Sequence, residues 1–132
     1  MAKLRHIAML VEDIEKTASF YEQAFGMTRV REHETAIALT DGVVSLVVIH
    51  PDNPNMKGET VRGLHHIGFL IDDMAKVTEK VEANGAVFHG GILGTGSGLE
   101  TERKYTDPNG VNFDITMPEY ARDFWKISVD AA

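Results

Sequence analysis

The sequence contains no cysteine. A disulfide framework and a thiolate metal site are therefore both excluded, and any transition metal would have to be held by His nitrogen and carboxylate oxygen. Basic residues are also scarce. Thirteen Lys and Arg against 20 Asp and Glu leave a net charge of −7, which argues against the clustered basic footprint of a nucleic-acid binder. No apolar run approaches the roughly 20 residues of a membrane span, and the opening residues lack the apolar core of a signal peptide. The expectation is a cytoplasmic protein with neither nucleic acid nor membrane as partner. What remains is ordinary for a globular protein: 43% hydrophobic and 25% charged residues in a chain of 132, enough for one domain with its own core.

The strongest internal signal is a repeat. Leu64-His65-His66-Ile67-Gly68-Phe69-Leu70-Ile71-Asp72-Asp73 restates Leu4-Arg5-His6-Ile7-Ala8-Met9-Leu10-Val11-Glu12-Asp13, with His66 and His6 separated by 66 − 6 = 60 residues. Each copy is a short β-prone run that ends in two acids and leads into a helical pattern, as expected of a duplicated supersecondary unit. If the copies pack about a pseudo-two-fold axis, the two imidazoles face a common centre. His65 then alternates to the opposite face.

Taken in order, residues 4–11 read as a strand, followed by a helix with Ile14, Ala18, Tyr21 and Phe25 at helical spacing and Gly26 as its stop. The acid pairs Glu12-Asp13 and Asp72-Asp73 suit helix starts. Strands follow over residues 27–33, 35–39 and 43–49, giving one β-α-β-β-β unit over residues 4–50. Residues 51–62 read as a linker. A second unit over residues 63–117 repeats the order, with a helix from Asp72 to Asn84 and a glycine-rich loop over residues 90–98 that suits a substrate lid. An amphipathic tail over residues 118–132 places Tyr120, Phe124 and Ile127 to cover the sheet or a partner subunit.

Two further phrases complete the pattern: Ser19-Phe20-Tyr21-Glu22-Gln23-Ala24-Phe25-Gly26-Met27, and Tyr105-Thr106-Asp107-Pro108-Asn109-Gly110 leading into a strand that carries Asp114. With the paired His-led strands, they make the chain resemble the vicinal oxygen chelate superfamily, which includes glyoxalase I, methylmalonyl-CoA epimerase, extradiol dioxygenases and the fosfomycin and bleomycin resistance proteins. The resemblance implies an α+β fold in which two tandem βαβββ units form a cupped mixed β-sheet, commonly in a homodimer. It also implies a divalent metal held by His6, His66 and Asp114. Aligning Gly42 with Gly110 puts Leu46 opposite Asp114, so the fourth ligand position is apolar. Two His and one carboxylate resemble the facial triad of non-haem iron enzymes, which leaves positions open to substrate and oxygen.

The resulting expectation is a metal-dependent enzyme acting on a small substrate with vicinal oxygens. Fe(II) and a dioxygenase-like reaction are favoured over Ni, Co, Mn or Zn. The alternatives are a glyoxalase-type isomerase, lyase or epimerase, and a metal-free binding protein of the bleomycin-resistance kind. His89, as a proton-transfer group, and Tyr105 are the candidate catalytic residues, and Arg103 and Lys104, beside Tyr105 before the last turn, the candidate groups for binding an anionic or phenolic part of the substrate. His33 and His50 read as solvated. Binding through neutral imidazoles predicts that metal affinity falls below about pH 6.5.

Overall fold

A computed structural model describes residues 2–94 and 99–129. Eight strands form one mixed sheet in the order β2-β3-β4-β1-β5-β8-β7-β6. The first unit runs β1 (Lys3–Leu10), α1 (Ile14–Phe25), β2 (Thr28–His33), β3 (Ala36–Thr40) and β4 (Ser45–Ile49). The second runs β5 (Gly63–Leu70), α2 (Met74–Ala83), β6 (Val87–Leu93), β7 (Glu100–Thr106) and β8 (Asn112–Thr116). Asp13 and Asp73 cap the two helices, accepting from the backbone N–H of Lys16 and Lys76. Gly26 ends α1 with φ 70°, a conformation that side chains with a Cβ rarely adopt.

The units join at the centre, where β1 and β5 pair antiparallel. Ile7 stands opposite Ile67, His6 opposite Gly68, and Ala8 opposite His66. A pseudo-two-fold axis therefore passes between Ile7 and Ile67. Each unit's His lies across from the other unit's small residue, and this is the physical reason for the His-Ile-small phrase. At Gly68 an added Cβ would come within 2.9 Å of His6 Cβ and 3.2 Å of Trp125 Cη2.

The helices cover one face of the sheet. Ala18, Ile37, Leu39 and Leu46 form a core under α1, joined by Ile14 and Tyr21. Ile71, Tyr105 and Ile115 form its counterpart under α2, joined by Met74, Val77 and Val81. Phe25, at helical spacing with Ile14, Ala18 and Tyr21, is nevertheless 70% exposed at the end of α1. The other face is the concave one. Leu70, Ala121, Trp125 and Ile127 cluster on it because the tail folds back as one helical turn (Pro118–Tyr120) and a π-turn (Ala121–Trp125). The segment between the units also contributes, through a 3-10 turn at Pro54–Met56 that buries Met56 against Ala8, Leu10 and Ile49.

The loop expected from residue 90 onward begins later. Gly90, Gly91 and Ile92 pair with Lys104, Arg103 and Glu102, so the glycines extend β6. A Cβ at Gly91 would meet the Glu100 carboxyl at 3.2 Å, the close approach that favours glycine in a strand. Residues 95–98 of the proposed lid lie outside the described residues. No helix among the described residues is long and apolar enough to cross a membrane.

Candidate metal centre

Three sequence-predicted residues meet on the concave face. His6 on β1, His66 on β5 and Asp114 on β8 each offer one donor atom, and these atoms lie within 4.8 Å of one another. His6 Nε2 is 3.2 Å from His66 Nε2, and His66 Nε2 is 3.2 Å from Asp114 Oδ2. Ligands bound at about 2.0–2.2 Å from one ion stand roughly 3.0–3.4 Å apart at ordinary coordination angles, so both separations fit a shared cation. The site is buried, with His6 5% and Asp114 4% exposed.

The rings are oriented from behind. His6 Nδ1 lies 3.0 Å from Ser45 Oγ, and the ring stacks on Trp125 at 4.7 Å between centroids. His66 Nδ1 lies 2.7 Å from His65 Nδ1. When His66 turns an Nε2 lone pair to a cation, its Nδ1 proton goes to His65. His65 then carries its own proton on Nε2, which is 3.4 Å from Glu59 Oε1. Strand alternation predicts His65 on the far face, but a β-bulge intervenes. Ala8 pairs with His66 while Met9 pairs with Leu64, leaving His65 as the extra residue. A bulge can bring neighbouring side chains onto one side.

Glu102, 2% exposed, joins the cluster from β7. Its Oε1 accepts from Lys104 Nζ at 3.0 Å and its Oε2 from Thr116 Oγ1 at 3.0 Å. Lys104 Nζ also lies 3.4 Å from Asp114 Oδ2. Burial pushes the His6 pKa down to about 3, helped by the neighbouring His66, so this ring is neutral, as a ligand must be. Burial and the charge of Asp114 raise the Glu102 carboxyl. At Asp114 burial acts upward too, but the hydrogen bond with His66 and the Lys104 charge outweigh it and hold the carboxyl low. Two carboxylates beside a single ammonium leave the pocket short of positive charge. A divalent cation bound between His6, His66 and Asp114 would balance that charge.

Other expectations change. Glu102 and Lys104 face the cleft, so alternation turns Arg103 and Tyr105 to the opposite face. The Tyr105 hydroxyl is 3.4 Å from Glu82 on α2, and the Arg103 guanidinium bonds Thr78 and lies 3.9 Å from the Phe88 ring centre. Neither joins the cluster. His89 is exposed, 2.9 Å from Thr106 Oγ1, and lines a small cavity of about 150 Å³ that reaches His66 and Asp114 from the side of His65. His50 stays near the surface with Asp52. His33 is exposed but lines the main cleft.

The fourth ligand position is apolar but is not Leu46. Ala8 pairs with Val47 as Gly68 pairs with Asp114, so Val47 is the counterpart of Asp114. The β7–β8 turn, between Thr106 and Asn112, is one residue longer than the β3–β4 turn between Thr40 and Ser45. Aligning turn glycines therefore slips the register by one, which moves the reading to the other face of the sheet. Leu46 is in the core under α1.

Sequence reasoning also missed Glu102, and it gave Tyr120 a covering role on the sheet rather than a place in the cleft. The alternation of Glu102 and Lys104 two residues apart was the available signal for the first. Tyr120 lines the main cleft, where burial and the nearby Glu102 carboxylate raise its phenol to about 12. The cleft is a cavity of about 320 Å³, polar on the second unit's side, with Ala36, Val47 and Ile49 as the apolar part of the first unit's wall and Arg31 and His33 beside them.

Residues 3–115 match the model of the Glyoxalase/Bleomycin resistance protein/Dioxygenase superfamily, and the chain belongs to it. It is 32% identical over 100 residues to the uncharacterized protein YwbC of Bacillus subtilis (strain 168), spanning 67% of this chain and 76% of that one. Among solved structures, methylmalonyl-CoA epimerase from Mycobacterium tuberculosis superimposes with a TM-score of 0.65 at 16% identity, over 87% of each chain. A variant of homoprotocatechuate 2,3-dioxygenase from B. fuscum superimposes with a TM-score of 0.67 at 18% identity, over 87% of this chain and 32% of that one. At such identities the structural likeness speaks for the fold.

Proposed function

We propose that the chain is a divalent-metal-dependent enzyme acting on a small molecule with two adjacent oxygens, with Fe(II) and dioxygenase-type cleavage the favoured pairing. The observation that carries this reading is the convergence of His6, His66 and Asp114 on one buried point while Val47 leaves the fourth symmetric position without a donor. When bound, the ion supplies Lewis acidity toward paired oxygens and, where it is iron, redox chemistry with dioxygen.

The chain's own residues perform the remaining tasks. Ser45 and His65 hold the imidazoles, and Trp125 closes over His6. Lys104 Nζ offsets negative charge at the polar wall. The Tyr120 phenol stays protonated at neutral pH and can donate to a substrate oxygen. The apolar wall keeps water from the substrate body. Glu102 supports a second reading: a buried carboxyl raised from its ordinary value is suited to proton transfer next to a carbonyl, the chemistry of an isomerase, lyase or epimerase.

Pairing of two chains belongs to the same proposal. An apolar groove of about 380 Å³ on the helix side, lined in part by Phe69, Val77 and Phe113, offers a face for a second copy. Light scattering at twice the 14.6 kDa chain mass checks it.

Elemental analysis of the purified protein tests the central claim. One divalent ion per chain is expected, lost in folded His6→Ala and Asp114→Ala variants. A metal content unchanged by both substitutions, or absent from a protein that still binds its ligand, sinks the metal reading in favour of a binding protein. Oxygen uptake with catechols after anaerobic Fe(II) loading separates dioxygenase from isomerase.

A further inference from the structure

Arg29 and Arg31 would share a face if β2 were regular. The register shifts between them, however: Arg29 pairs with Leu39 and Arg31 with Ala38, leaving Val30 as an extra residue. Arg29 therefore lies on the α1 side, where Glu15, Glu22 and Glu32 surround it. Arg31 emerges on the other side, in the wall of the main cleft. No carboxylate among the described residues pairs with it. Its NH2 nitrogen donates to His33 Nε2 at 2.8 Å, and its guanidinium carbon sits 4.7 Å from the centre of the Phe124 ring. The fork is held at both flanks, with donors left over, in a chain that carries seven excess negative charges. Asn55 adds a side-chain amide to the same cavity.

The metal-site residues and Arg31 line one cavity of about 320 Å³, with Ala36, Val47 and Ile49 in its wall. We propose that Arg31 forms an anion subsite, so that the substrate bears a carboxylate at the end remote from its paired oxygens, joined to them by a short apolar body. A single guanidinium matches one negative charge and the planar two-oxygen geometry of a carboxylate. That the occupant is a substrate rests on the enzyme reading above; the anion subsite itself rests on Arg31 and the cavity.

The chain's one tryptophan, Trp125, lines this cleft, so its fluorescence reports occupancy. The test titrates metal-stripped protein with 3-phenylpropionate and with 3-phenylpropionamide, which share a body and differ in charge. The acid is expected to bind about tenfold or more tightly than the amide, a difference of roughly 1.4 kcal/mol. Arg31→Gln should erase that preference, whereas Arg31→Lys, which keeps the charge without the fork, should retain part of it. Thermal melts confirm that each variant is folded. Equal binding of acid and amide, no binding of either, or a preference that survives Arg31→Gln overturns the proposal. Because no metal is present, failure of the metal reading leaves this result untouched.

Discussion

At the residue scale, the centre depends on what is small as much as on what is charged. Gly68 permits the stack of His6 on Trp125, and its missing Cβ would sit 2.9 Å from His6 Cβ, an atom too close to the backbone to swing aside. Gly68→Ala should therefore cost about 1–3 kcal/mol by overpacking and displace Trp125. Chemical denaturation would measure the first effect and tryptophan emission the second. A variant with wild-type stability and an unshifted spectrum would mean that the strands simply part. His6 carries a separate consequence. Its folded pKa of about 3 lies below the ordinary 6.5, so between these values the unfolded chain binds the extra proton and the folded chain does not. Stability from this group is complete above pH 6.5 and is lost as pH falls toward 3. Denaturation midpoints of metal-free protein should fall over that window, with a shallower slope in a folded His6→Gln variant.

At the scale of elements, β-bulges decide which side chains reach the cleft, and four of the five register shifts among the described strands match across the two units. The central pair of strands shifts at Arg5 and at His65, 65 − 5 = 60 residues apart, and the outer strands shift at Val30 and His89, 89 − 30 = 59 apart. They are two pseudo-symmetric pairs. Helix spans, caps and the succession of elements along the chain were legible in the sequence because periodicity and capping are local. Bulges were not, since strict alternation offers no sign of an inserted residue. This is why His65 was assigned to the far face and Arg31 passed unnoticed. The His65 bulge yields a test of its own. If His65 holds the His66 ring by their 2.7 Å contact, His65→Ala should weaken divalent-metal binding by about 10–100-fold, the usual effect of removing a partner behind a ligand. Calorimetric titration with Zn²⁺ reads this directly, and an unchanged affinity would reduce His65 to a bystander.

At the scale of the whole molecule, a duplicated fold has been made chemically one-sided. Register places Ala36, Ala38, Val47 and Ile49 of the first unit where the second has Glu102, Lys104, Asp114 and Thr116. The central histidines survive in both copies, but on the two strands beside them the polar groups belong to the second, and the first unit contributes Arg31 and His33 only from β2. The repeat therefore disclosed His6 and His66 at once, whereas Asp114 came from the resemblance and Glu102 from the structure alone. Restoring the missing partner tests the symmetry argument. Val47→Asp places a carboxylate across the cleft from Asp114, in a wall built for apolar atoms. Without metal, the extra buried charge should destabilise the protein by about 1–3 kcal/mol. With metal, a fourth donor should tighten binding about tenfold, or roughly 1.4 kcal/mol, so that a saturating divalent ion raises the melting temperature more in the variant than in the parent. A variant that is destabilised but not rescued by any divalent ion would place Val47 away from the point where His6, His66 and Asp114 meet, and the pseudo-symmetric account of the centre would fail with it.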